Sequence, residues 1–535
     1  MEKKTKSFLG GAAVLAIAGL LVKIIGAFYR IPLTNIVGVE GMDYYETVYP
    51  WYSWLLVISS AGLPTAISKM VSERVTVGDY KAAKRVFSTA LKLLLGIGIV
   101  TTLIMLFGAN LISSFSYPAD ETEIIAKQAM SFRALSPALL FVSVMCAYRG
   151  YLQGLQHMIG TAVSQVIEQI GKLAIGFTLA LILLKKGPEY AIMGALIGVS
   201  VSELLALAAI WFIYKRKSSA LNASLPKNAS SPFKGSITKT LLSIAIPITI
   251  GASIMPVTGI IDSVLIKRTL VDIGFSLETA RTAYSLLRSN VTTIINMPAV
   301  LTMALAMSLV PAISSSMAKK DYKSVRAASV TGMKFALLIG APCSVGLFVL
   351  AKPILSLLYT GLTGAQLELA ASLMRTSAIG VLFLSLVQAM TGTIQGMGRP
   401  NVPVVNLIFG GILKVAAMFI LIPLEDVNIQ GAAISTVICY AAAGIMDTVY
   451  VLRKTGVRLN VWDALLKPLL ASLIMGVCVH LVYGLVKDHG SLATLLSIAV
   501  GGGVYLVMIF VLKMLSPTDL EFMPGGRKIK KLMYR

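Results

Sequence analysis

Long apolar runs, separated by short polar and basic clusters, recur from one end of this 535-residue chain to the other. A helix needs about 20 mainly apolar residues to cross the hydrocarbon core of a bilayer. Fourteen runs reach that length: 8–30, 44–68, 86–111, 124–150, 159–184, 190–214, 240–266, 283–312, 328–351, 366–394, 402–422, 430–452, 464–486 and 491–513. The pattern therefore predicts an all-α polytopic membrane protein with 14 transmembrane helices. Pro64, Pro137, Pro247, Pro256, Pro298 and Pro342 fall inside these runs. Each frees a backbone carbonyl that lipid cannot satisfy, so such kinks belong against protein or a wet cavity.

Two stretches repeat one pattern. YRGYLQGLQHMIGTAVSQVIEQIGK runs from Tyr148 to Lys172, and MTGTIQGMGRPNVPVVNLIFGGILK from Met390 to Lys414. Each opens on Gly-x-x-Gln-Gly, read as a turn (Gly150, Gln153, Gly154; Gly392, Gln395, Gly396), and ends on a single lysine. The offset is 414 − 172 = 242, and it also aligns Asp79 with Asp321, Lys92 with Lys334, Tyr117 with Tyr359 and Arg133 with Arg375. Over roughly ninety positions about a quarter are identical, including charged residues inside apolar runs, which marks a duplication. Six spans separate the copies, an even number, so the repeats are parallel, with the substrate path expected between the halves. The predicted organisation is two parallel six-helix lobes plus two extra C-terminal helices. The N-terminal lobe covers 1–217, a cytoplasmic linker 218–236 and the C-terminal lobe 237–455. Helices 13–14 occupy 456–515, and a basic cytoplasmic tail 516–535.

Composition sharpens the class. The chain is 56% hydrophobic and 13% charged, with a mean hydropathy of +0.82, which excludes a soluble globular protein. The net charge of +23 lies in short clusters between apolar runs, so it points to membrane orientation and not to nucleic acid. With the N-terminus inside, about thirty Lys and Arg, Arg149, Arg326 and Arg399 among them, fall on the inner side and roughly seven outside. The outer loops are read as carrying acids instead: Glu40, Asp43, Asp120, Glu121, Glu425 and Asp426. Both termini are expected in the cytoplasm. Cys146, Cys343, Cys439 and Cys478 stand singly, as do His157, His480 and His489, so neither a disulfide framework nor a metal site is predicted.

A charge at mid-bilayer costs about 2.5–3.5 kcal/mol on insertion scales and so faces a partner or a cavity. The candidates for substrate binding are Lys23, Arg30, Glu168, Lys172, Asp262, Arg288 and Lys414. Glu168 and Lys172, four apart, can instead pair on one helix face, and Arg30 and Asp262 can instead snorkel from span ends. Asp447 is read as an ordinary residue near the inner boundary. Cations outnumber acids among the candidates, which points to an anionic ligand. The chain has no HExxH, GxSxG or phosphate-cradling GxxxxGK motif and no large loop, so a transporter is expected and a catalytic site is not.

At these residues the chain resembles the multidrug/oligosaccharidyl-lipid/polysaccharide exporter superfamily. GLLVKIIGAFYRIPLTNIVG (Gly19 to Gly38), YPWYSWLL, YRGYLQGLQHM with VSQVIEQ, and INMPAVLTMALAMSLVPAIS (Ile295 to Ser314) look like its stage V sporulation protein B branch. They are also similar to its MurJ lipid II flippase branch. The resemblance implies a bacterial cytoplasmic membrane protein of peptidoglycan or other polysaccharide synthesis. Its implied partners are a lipid-linked oligosaccharide, membrane lipids and cell-wall synthesis enzymes. It also implies flipping of an undecaprenyl-pyrophosphate-linked sugar, most simply lipid II, by alternating access around a cationic cavity, with no cofactor. The coupling candidates are the membrane potential, Na⁺ or H⁺. Lys23 stands where lipid II flippases carry arginine, whereas Arg30 and Arg288 are displaced from the family's basic positions. The alternatives are export of another polysaccharide lipid, cation-coupled drug antiport, or a membrane-embedded glycosyltransferase or ligase.

Overall fold

The computed structural model describes residues 2–223, 236–457 and 460–516. Side chains are described for 28–216, 236–457 and 460–516, and before residue 28 only at 18, 19, 21, 22 and 24–26. Among the described residues there is no strand, and 13 helical stretches are long and apolar enough to cross a membrane. The first of these, Ile24–Thr76, holds the expected span 44–68 and the end of the expected span 8–30. Helix α1 (Glu2–Ser60) is broken at Gly38, with φ 70° and ψ −178°, a conformation open essentially to glycine. The chain restarts at α2 (Leu63–Thr76), where Pro64 sits in the first turn. There the proline's missing N–H removes no helical bond, so Pro64 starts a helix and does not kink one. The chain is an all-α polytopic membrane protein.

Packing divides it into two compact units, Met1–Ser285 and Leu286–Arg535. The first unit continues with α3 (Tyr80–Phe107), α4 (Ala109–Ser114), α5 (Thr122–Gly154), α6 (Met158–Gly171), α7 (Phe177–Leu183) and α8 (Pro188–Ala223). It closes with α9 (Ile237–Asp272) and α10 (Leu277–Ser285). Its cores are built on Leu33, Met42, Val48, Phe132 and Leu196, and on Ile67, Val86, Leu94, Met145 and Ile210. Helix α9 packs against α1 and α2. At Gly62 an added Cβ would lie 2.2 Å from the Ala245 carbonyl oxygen, so only glycine lets the two backbones meet. Residues 224–235 of the expected linker and 517–535 of the expected tail lie outside the described residues.

The second unit holds α11 (Thr292–Ile295), α12 (Met297–Ala318), α13 (Tyr322–Val349), α14 (Ala351–Leu358) and α15 (Gly364–Gly396). After these come α16 (Asn401–Leu421), α17 (Gln430–Thr455), α18 (Lys467–Val486) and α19 (Ser491–Val511). The run expected at 283–312 is interrupted. A π-helical segment, Leu286–Val291, leads into α11, and Pro298 opens α12 after a break at Asn296.

The 242-residue offset recurs in the helices themselves. The starts 322 − 80 and 364 − 122 both differ by 242, and α3 and α13 both span 28 residues while α5 and α15 both span 33. Asp79 and Asp321 cap α3 and α13, each accepting from the backbone N–H three residues on. At Asp321 the Ser324 hydroxyl, followed by its backbone N–H, holds the carboxyl below the ordinary aspartate range. The Gly-x-x-Gln-Gly motif is not a turn: both copies are helical, at the ends of α5 and α15. Its glycines are helix crossings. A Cβ on Gly150 would lie 2.8 Å from the Pro64 carbonyl oxygen, and one on Gly392 would lie 2.8 Å from that of Ala306. Gly154 meets Val71 and Ser68 as Gly396 meets Ile313 and Val310, again 242 residues on in every case.

Overpacking a tight contact costs about 1–3 kcal/mol. Gly150→Val and Gly392→Val should therefore each lower the thermal unfolding temperature of the detergent-purified protein. Gly96→Ala, where a Cβ meets nothing within 4 Å, should leave it unchanged.

Candidate functional site

Charges inside these helices gather into clusters. The first is built from α5, α6, α8 and the π-helical segment Lys172–Gly176. Lys172 Nζ lies 2.6 Å from Glu168 Oε1 and 3.0 Å from Glu203 Oε1. Arg149 donates from Nη2 to Glu168 Oε2 at 3.1 Å and from Nε to Ser164 Oγ at 3.0 Å. Glu203 is buried, and its Oε2 has no hydrogen-bond partner among the described residues. Two cations and two carboxylates therefore neutralise one another across three helices. The π segment begins at Lys172 itself; such one-turn bulges are frequent at functional sites.

A second cluster surrounds Asp43, which is fully buried within α1. It accepts from Arg281 Nε at 2.7 Å and Lys267 Nζ at 3.3 Å, and the Tyr117 hydroxyl lies 2.8 Å from its Oδ2. Lys267, also fully buried, donates to Thr47 Oγ1 at 2.7 Å and lies 4.1 Å from the centre of the Tyr117 ring. Arg281 stands over the Tyr44 ring at 4.8 Å. One carboxylate thus faces two cations, and aromatic faces take up part of the surplus charge. Nearby on α1, Arg30 pairs with the buried Glu46.

The second unit answers with a less charged node. Asn406 donates to Asp447 Oδ1 at 2.7 Å and Thr391 to Oδ2 at 3.4 Å. Thr391 and Asn406 occupy the repeat positions of Arg149 and Ser164, since 391 − 149 and 406 − 164 both equal 242. Asp447, expected to be ordinary, is buried and hydrogen-bonded. Lys414 is buried on α16, and Arg288 lies in the π segment Leu286–Val291. Beside it Asn290 is fully buried, with neither amide atom bonded among the described residues.

Of the sequence candidates, the first unit brings together Glu168 and Lys172. Arg30 pairs elsewhere on α1, and Asp262 is buried on α9. Lys23 falls within α1, but its side chain lies outside the described residues.

A family model described as "Polysaccharide biosynthesis protein" matches residues 8–317, more than half the chain. The chain belongs to this polysaccharide biosynthesis protein family. A MatE model also matches residues 288–420. Among curated relatives, stage V sporulation protein B of Bacillus subtilis is 25% identical over 529 residues, covering 98% of both chains. The lipid II flippase MurJ of the same organism is 27% identical over 544 residues, covering 97% of this chain and 98% of its own. A solved lipid II flippase MurJ in an inward closed conformation superposes with a TM-score of 0.70 at 16% identity. It covers 94% of this chain and 98% of that one. An inward-facing MATE family transporter of the MOP superfamily gives 0.65 at 16%, covering 82% and 98%. This family member therefore shares the fold of MurJ and of the multidrug transporters.

Four charged residues besides Asp447 lie where the sequence reading did not put them. Asp43, expected in an outer loop, is helical and buried, and Arg149, counted as an inner-loop cation, is the fourth member of the Lys172 cluster. Glu46 and Glu203 supply acids that the count of buried charges missed, so Arg30 and Lys172 already have counter-ions. No spacing in the sequence signals the Arg30–Glu46 pair: 16 residues, about 24 Å of straight helix, separate the two, and the break at Gly38 lies between them. Glu203 has no local partner, and only the packing of α8 on α6 reveals it.

Leaving a buried charge unpaired costs about 3–5 kcal/mol. Asp43→Asn strands two cations, whereas Lys267→Met leaves Asp43 with Arg281. Thermal unfolding in detergent should show a large loss for Asp43→Asn and a clearly smaller one for Lys267→Met.

Proposed function

We propose that this protein is a flippase, not an enzyme, that carries a polyprenyl-pyrophosphate-linked sugar from the inner to the outer leaflet, lipid II being the first substrate to test. The observation that carries this reading is the Arg149–Glu168–Lys172–Glu203 cluster inside the membrane helices of a chain aligned end to end with a lipid II flippase. Buried ion pairs contribute little net stability compared with apolar packing, so four such residues are retained for another reason.

A pyrophosphate is at least a dianion, and guanidinium and ammonium groups bind it through charge-assisted hydrogen bonds. At this cluster the headgroup competes with Glu168 and Glu203 for Lys172 and Arg149. The resident carboxylates then re-form their pairs and expel it, which keeps binding reversible. Lys172 Nζ also occupies the place between two carboxylates that a cation antiporter would leave open for its ion, which favours an anionic substrate. Lys23, Arg288 and Lys414 are proposed as further contacts to the headgroup. Both termini are placed in the cytoplasm on the strength of the loop charges. Outward movement of negative charge from a negative-inside cell is favoured by about 2.3 kcal/mol per charge per 100 mV, so the membrane potential is the proposed driving force.

In bacteria depleted of their own lipid II flippase, expression of this protein should restore growth. Compared at matched membrane abundance, Lys172→Gln should abolish rescue, and Lys172→Arg should retain more of it. Failure of the native chain to rescue despite normal abundance would count against lipid II as substrate. Normal rescue by Lys172→Gln would remove the cluster from the transport path.

A further inference from the structure

At one end of the second unit, a cavity of about 250 Å³ opens where α12 gives way to α13, α15 to α16, and α17 ends. Arg326, Arg399 and Lys454 line it, with Tyr322 at its edge and Met317 and Met397 among its apolar walls; no carboxylate lines it. We propose that this cavity binds the headgroup of an anionic phospholipid of the adjoining leaflet.

Three observations support that assignment. First, the cations are set in place. Arg326 donates from Nε to the Thr455 carbonyl at 2.6 Å, which satisfies one of the last carbonyls of α17 and holds the guanidinium by Nε, not by its two Nη groups. A planar fork held in this way suits a phosphate better than a mobile lysine would. Second, the location matches. Five apolar spans begin or end around the cavity, so it lies at the depth of lipid headgroups, and its methionine walls suit the glycerol and upper acyl carbons. Basic pockets between the ends of membrane helices are the places where anionic headgroups dock. The volume is below the roughly 300–1,000 Å³ typical of sites for drug-sized ligands, which fits a headgroup.

Third, the charge set is not simply inherited from the duplication. The offset places Lys84 at the position of Arg326 (326 − 242) and His157 at that of Arg399 (399 − 242). The second unit therefore carries two permanent guanidinium charges where the first carries one lysine and a histidine. General attraction to the membrane surface requires only exposed basic residues. It does not require three of them around one cavity with no acid among them.

The test uses the full-length protein, delipidated in neutral detergent. Thermal unfolding is followed with cardiolipin, phosphatidylglycerol, phosphatidylcholine or inorganic phosphate added. Cardiolipin and phosphatidylglycerol should raise the unfolding temperature, and phosphatidylcholine should not. The double variant Arg399→Gln/Lys454→Gln, which leaves the Arg326–Thr455 bond in place, should lose at least half of that rise. If the double variant fails to fold, Lys454→Gln alone, at an exposed position, should show a smaller but measurable loss. Equal stabilisation of native and variant proteins by the anionic lipids would overturn the proposal. So would stabilisation by inorganic phosphate with none by lipid.

Discussion

A charge inside a membrane helix must have a counter-charge, and the ionised clusters of the first unit are arranged around that constraint. Lys172 is tolerated because Glu168 lies one turn away and Glu203 reaches it from α8. Lys267 and Arg281 are tolerated because both face Asp43, and their contacts draw α9 and α10 against α1. These clusters fix which helix faces meet, while the apolar cores supply most of the burial. A neutral set of four charges can also be rearranged: under the proposed function an incoming anion takes Lys172 and Arg149 from the two carboxylates, and re-forming those pairs expels it. That property distinguishes such a cluster from a purely structural ion pair.

Duplication supplied the scaffold, and divergence supplied the chemistry. The steric constraints kept their register. Gly98 meets Ser143 and Leu140 as Gly340 meets Ser385 and Leu382, because a helix crossing admits only one size of residue at its centre. Several polar partnerships inside the helices did not. Tyr117 lies beside the Asp43 carboxylate, whereas Tyr359, 242 residues on, donates toward the backbone carbonyls of Ser289 and Asn290. Arg149 has become Thr391, and the node around it is held by Asn406 and Asp447. One scaffold thus carries an ionised site in one unit and a largely neutral one in the other.

The spans and the repeat were legible in the sequence because both depend on local pattern: run length, rare charges in register and glycine spacing. The Glu168–Lys172 pair was legible too, since its spacing of four is a property of a single helix. The remaining partners were not. Arg149 and Asp43 lie near the ends of hydropathy runs, where a window cannot separate a loop from a buried last turn. Glu203 and Glu46 face charges that tertiary packing or a helix break brings to them. The break at Gly38 is marked by one residue whose φ no composition measure detects. The glycines of the Gly-x-x-Gln-Gly motif also make it read as a turn. Its two glycines, four apart, fit a helix face in contact with a neighbour equally well, and only the contacts decide between the two.

Passage of an anionic lipid-linked sugar across the membrane is the function proposed for this protein. It is tested most directly in vesicles containing the purified full-length chain and a fluorescent polyprenyl-pyrophosphate disaccharide, with accessibility to an outside quencher followed over time under an imposed membrane potential. Translocation should run well above that of protein-free vesicles, and faster when the potential drives negative charge in the transport direction. Translocation no faster than in protein-free vesicles, from protein verified as folded, would contradict it.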